Sequence, residues 1–80
     1  MNERQMSFGE KAVGLNFNPS GDPKVDELKT LFAKIIDICN DAREGGGNMK
    51  GGEVSRLWSI AITEAQTAQM WAVKAATWKT

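Results

Sequence analysis

The sequence predicts an all-α chain: a short N-terminal helix or turn, then an antiparallel helical hairpin, in one domain over residues 1–80. Three observations predict it. Ser7-Phe8-Gly9-Glu10 has the S-x-x-E spacing of a capping box. Asp22-Pro23 opens a run in which apolar residues recur every three or four positions. Residues 53–78 contain no proline and are largely Ala, Gln, Glu, Met, Leu and Lys, which are good helix formers.

In residues 1–21 the capping box starts a helical turn or two from Phe8 to Val13, and Gly14 stops it. Leu15-Asn16-Phe17-Asn18-Pro19-Ser20-Gly21 is turn chemistry with one embedded aromatic. Residues 22–44 read as a long helix. Asp22 suits the N-cap, Pro23 the first helical position, and Asp26 and Glu27 the positive end of the helix dipole. Val25, Leu28, Leu31, Phe32, Ile35, Ile36, Cys39 and Ala42 make its apolar stripe. Lys24, Lys29, Thr30, Lys34, Asp37, Asn40 and Asp41 take the other side. Residues 45–52 hold five glycines in eight positions and read as a connector, lacking the GxxxxGK[ST] pattern of a phosphate cradle. Residues 53–78 form the second long helix, each helix about 33–38 Å long at ~1.5 Å per residue.

The second helix predicts assembly. Between Leu57 and Val73 the only charged residue is Glu64. At about 100° per residue, Trp58, Ala61, Ala65, Ala68, Ala72 and Ala75 lie along one side. Ile60, Thr67, Trp71 and Trp78 lie roughly opposite. A helix apolar on most of its circumference must be covered on most of it, which one partner helix does not achieve. Hairpins are therefore expected to pack into a homo-oligomer, because the first 21 residues carry too few large apolar groups to close a monomer.

Composition bounds the function. Ten Lys and Arg balance ten Asp and Glu, so the chain lacks the basic excess of a polymeric nucleic-acid or anionic-membrane binder. There is no histidine, which removes the commonest general base and the commonest metal ligand. The single cysteine, Cys39, forms no intrachain disulfide and sits on the apolar stripe as core filler, consistent with a reducing cytoplasm. No long uncharged apolar run or signal peptide is evident. Asp37 and Asp41 form an i, i+4 pair without a third ligand and read as solvated surface. No catalytic residue, metal site or cofactor is expected, and the chain is not expected to be an enzyme.

Binding chemistry remains. Phe17, among Asn16, Asn18 and Ser20, either stacks on a base whose edge its neighbours read, or packs on the hairpin as a staple for the loop. Lys24, Lys29 and Lys34 spiral around their helix, an arrangement that suits one small anionic ligand better than a polymer track.

Phe17-Asn18-Pro19-Ser20-Gly21-Asp22-Pro23 resembles an F-x-x-P-x-x-D opening of phage-encoded hairpin proteins. Ser55-Arg56-Leu57-Trp58-Ser59-Ile60-Ala61 and Glu64-Ala65-Gln66-Thr67-Ala68-Gln69-Met70-Trp71-Ala72 are similar to their closing helix, with its Met-Trp-Ala triplet and repeated alanines. The family is the second anti-CBASS protein of bacteriophages, related to the hairpin domain of a Thoeris anti-defence protein. The resemblance runs from Phe17 to Trp78.

The resemblance implies a non-enzymatic sponge in the cytoplasm of the infected bacterial host. It would sequester cyclic dinucleotides such as cyclic GMP-AMP, and in some members cyclic trinucleotides, which are messengers of anti-phage immunity. It further implies a homohexamer, with dinucleotide pockets between protomers and separate trinucleotide pockets. The family's pocket aromatic, often Tyr, falls on Phe17, which keeps stacking and lacks the hydroxyl. Its phosphate-binding residue falls on Lys29, and Pro19 shapes the loop, flanked by Asn16, Asn18 and Ser20. Thr63 and Thr67 are candidates for the trinucleotide site, where Ile62 replaces an arginine of some members. The alternative is a helical-hairpin oligomer serving as a protein–protein interaction module through its tryptophans. A non-specific single-strand binder is a third option that the few lysines support poorly.

Overall fold

A computed structural model of the chain describes residues 5–45 and 52–79. It contains α1 (Phe8–Val13), α2 (Pro23–Glu44) and α3 (Gly52–Ala76), and no strand among the described residues. Residues 46–51 of the predicted glycine-rich connector lie outside the described residues.

α1 is only six residues long, so its ends carry most of its specification. The capping box closes: Glu10 N–H donates to Ser7 Oγ (3.1 Å) and Ser7 N–H to Glu10 Oε1 (2.9 Å). Gly9 N–H donates to Asp37 Oδ1 of α2 at 2.6 Å. Asp37 therefore places a carboxylate at the positive end of α1, and the expectation of a solvated surface residue is corrected. Gly9 is buried, and a Cβ there would collide with the Ala33 carbonyl of α2. Close approach of the two backbones thus requires glycine at that position. Gly14 then ends α1 with φ +64°, a left-handed conformation that glycine adopts without a Cβ penalty.

α2 starts as its sequence dictates, with Asp22 Oδ1 accepting from Lys24 N–H at 2.9 Å and Pro23 in the first turn. Its buried residues are Val25, Lys29, Ala33, Ile36 and Cys39. The covered face is narrower than the predicted stripe, since Leu31 and Ile35 are exposed, and Ile38 with them. It also includes Lys29, which the sequence places on the polar side. Alanine at position 33 leaves room for α1, and the resulting core joins Val13, Ala33, Ile36, Cys39 and Ile62, flanked by Phe32, Trp58, Ala61 and Ala65.

α3 packs along α2, and Arg43 ties the two by donating to Ser59 Oγ at 2.9 Å. It ends at Ala76, two residues before the predicted boundary. Thr77 Oγ1 donates to the Val73 carbonyl at 2.8 Å, and Trp78 N–H reaches back to Ala75 O at 3.3 Å. A local side-chain bond and an i−3 bond take the place of the next helical turn. No helix among the described residues is long and apolar enough to cross a membrane.

Candidate functional site

The loop from Gly14 to Asp22 is held by its own side chains. Phe17 N–H donates to Gly14 O at 2.9 Å. Asn18 Nδ2 donates to Asp22 O and to Asp26 Oδ1, both at 3.0 Å, pinning the loop to the first turn of α2. Ser20 Oγ donates to Asn18 Oδ1 at 2.7 Å and accepts from Asp22 N–H at 3.1 Å. Asn18 and Ser20 thus spend much of their hydrogen-bonding capacity inside the loop.

The central group is Lys29. Its side chain is 5 % exposed, and its ammonium donates to Gly14 O at 3.0 Å and to Phe17 O. Burying an ammonium is costly unless its donors are satisfied, and two loop carbonyls satisfy two of the three. The ammonium lies 5.5 Å from the centroid of the Phe17 ring, within cation–π range. Lys29 therefore fixes the loop by its backbone and places a positive charge beside the ring.

The Phe17 ring is 70 % exposed. Of the two readings that the sequence leaves open, a staple packed onto the hairpin would hide the ring, and this geometry presents it. An aromatic group in water, rigidly seated beside a cation, can stack on a planar ligand at little ordering cost.

Beneath the ring lies a concavity of about 610 Å³, lined by Lys11 and Gly14, by Phe17 and Lys29, and by Thr63, Gln66 and Thr67 of α3. Its volume falls within the range of small-molecule sites. Residues that the sequence comparison assigned to two separate pockets, Phe17 with Lys29 and Thr63 with Thr67, share this one hollow within a single chain. Asn16 lines a neighbouring hollow of about 450 Å³ that shares Lys11, Gly14 and Phe17. Pro19 is exposed at the turn and lines neither.

Lys11 and Gln66 were missed by sequence reasoning. A signal for Gln66 was available, because Thr63, Gln66, Thr67 and Met70 recur at i, i+3, i+4 and i+7 and so form one stripe on α3. Nothing local marks Lys11, which reaches the site only because Gly9 lets α1 lie against α2. Among the described residues no group of three His, Cys, Asp or Glu is placed to hold a metal ion.

No curated protein and no solved structure matches the chain. The Acb2/Tad1, hairpin domain, family matches it over residues 10–77, from the last residue of the capping box through all of α2 and α3. A match that takes in the loop, the buried lysine and both long helices leaves little of the chain outside it: the protein belongs to the Acb2/Tad1 hairpin-domain family.

Proposed function

We propose that this protein is a non-enzymatic sponge that sequesters cyclic dinucleotides, and in a second capacity cyclic trinucleotides, in the cytoplasm of an infected bacterium, blocking CBASS anti-phage signalling. The observation that carries the proposal is the exposed Phe17 ring held beside the buried Lys29 ammonium at a concavity that Thr63, Gln66 and Thr67 also line. Membership of the Acb2/Tad1 hairpin family supports it.

Capture needs no bond to break. A nucleobase stacked on Phe17 contributes about 1–3 kcal/mol. Lys29 keeps one N–H beyond the two that hold the loop, and directs it at a phosphate in a partly desolvated site. Asn16 flanks the base, while Asn18 and Ser20, which line neither hollow, hold the turn that Pro19 shapes. Thr63 and Thr67 serve the larger ring of a cyclic trinucleotide.

The working form is a homo-oligomer, a hexamer in this proposal. Leu57, Ile60, Trp71 and Trp78 stand exposed at successive spacings of three, eleven and seven residues, which keep them on one face of α3. Leu31, Ile35 and Ile38 add a second exposed row on α2.

Calorimetry with cyclic GMP-AMP tests the proposal. The wild-type protein should bind tightly, and Phe17→Ala or Lys29→Ala should abolish capture while native mass spectrometry shows the same subunit count. If the wild-type protein takes up neither cyclic di- nor trinucleotides, the sponge is rejected. The exposed Trp71 and Trp78 then favour the second reading, a protein–protein interaction module.

A further inference from the structure

The outward face of α2 carries a pattern that packing within the chain does not use. Leu28, Leu31, Ile35, Ile38 and Ala42 alternate spacings of three and four residues, as the seam of a coiled coil does. Leu31, Ile35 and Ile38, the middle of that seam, are exposed. On one flank, Val25 and Cys39 are buried and Phe32 packs against the core. On the other flank stand Glu27, Lys34 and Asp41, seven residues apart and all exposed. None of these three side chains has an ion-pair partner among the described residues.

The two unlike flanks decide how a second copy fits. A parallel copy would set Glu27 against Phe32 and Lys34 against Cys39, charge against apolar flank. An antiparallel copy sets charged flank against charged flank. In that orientation one register layers Leu31 on Ala42 and Ile35 on Ile38 of the second copy, and the reverse. The same register brings Lys34 of each copy beside Asp41 of the other, two opposite-charge pairs related by the twofold axis. A slip of one heptad in one direction opposes Lys34 to Lys34 and Glu27 to Asp41. A slip in the other direction opposes Asp41 to Asp41. The charge order thus attracts in one register and repels in both neighbouring ones.

Resting on the homo-oligomer proposed above, we infer that the outer face of α2 binds the same face of a second copy, antiparallel, in the register that pairs Lys34 with Asp41. No residue of this seam or of its charged flank lines either hollow beside Phe17, so pairing here and ligand capture are separable.

Sedimentation velocity and native mass spectrometry over a dilution series test this, with circular dichroism to confirm folding. Lys34→Glu and Asp41→Lys should each weaken the interface by about 10- to 100-fold, because each turns two attractive pairs into repulsive ones. Combining Lys34→Glu with Asp41→Lys restores opposite charges and should recover wild-type assembly. An oligomeric wild type with no response to either single variant, or no recovery in the double variant, overturns this interface and leaves the oligomer standing. A monomeric wild type rejects the oligomer with it. Calorimetry with cyclic GMP-AMP on the wild type is read separately: absent uptake beside a rescued double variant rejects the sponge and keeps the interface.

Discussion

The covered and uncovered faces of the hairpin use apolar residues in opposite ways. Inside, the residues are small or aliphatic: Val13, Val25, Ala33, Ile36 and Cys39, with Ile36 completely buried. Outside are Leu31, Ile35, Ile38, Leu57, Ile60, Met70, Trp71 and Trp78, and Trp71 is 66 % exposed. Two of the three tryptophans, Trp71 and Trp78, stand where none of the described residues covers them, while Trp58 and Phe32 pack partly against the core. Small residues inside let the helices approach closely, as Gly9 of α1 and Ala33 of α2 do. Large residues outside are the most effective where a neighbour covers them, since burying one tryptophan contributes about 2–3 kcal/mol. The difference teaches that intrachain packing sets the geometry of the site, while the largest apolar groups are left available for the association proposed above.

The contrast breaks most severely from the inside. Ile36→Ala, at the centre of the core, should cost about 2–5 kcal/mol, a large share of what a domain this size has to lose. Urea denaturation should show the midpoint fall sharply at low protein concentration, and a midpoint near wild type would mean that the inner face contributes little. Next in size is Gly9→Ala. The added methyl forces α1 away from the Ala33 carbonyl, at about 1–3 kcal/mol. Because Lys11 and Gly14 move with α1, calorimetry should also show weakened ligand capture, and unchanged capture would show that the site does not depend on that contact. Trp71→Ser should have the smallest effect on the isolated hairpin, within about 0.5 kcal/mol, as for other exposed sites. Native mass spectrometry should nevertheless show fewer subunits. An unaltered mass distribution would remove this tryptophan from the proposed interface.

Several features were legible in the residues because their causes are local. The capping box needs only Ser7 and Glu10, and the start of α2 needs only Asp22 and Pro23. Phe17 stood out as an aromatic among turn formers. Lys29 was harder: spacing along α2 put it with the polar residues, and only the return of the Gly14 and Phe17 carbonyls over that face explains a buried ammonium. Asp37 reads as a solvated carboxylate in the sequence for the same reason, since its partner, the N–H of Gly9, lies 28 positions away. Thr63 and Thr67 were singled out, and Gln66 between them was not, although the helical period joins all three.

What the sequence determined by itself is the set of helices, their starts and the excess of apolar surface, because propensity, capping and periodicity act over a few residues. The tertiary structure alone decided which polar groups are buried, which lysine is committed and which is free, and that residues of α1, the loop and α3 line one hollow. Those outcomes depend on where α1 lies against α2. A steric allowance at Gly9 and the hydrogen bond that its N–H donates to Asp37 fix that placement, and neither leaves a periodic trace in the chain.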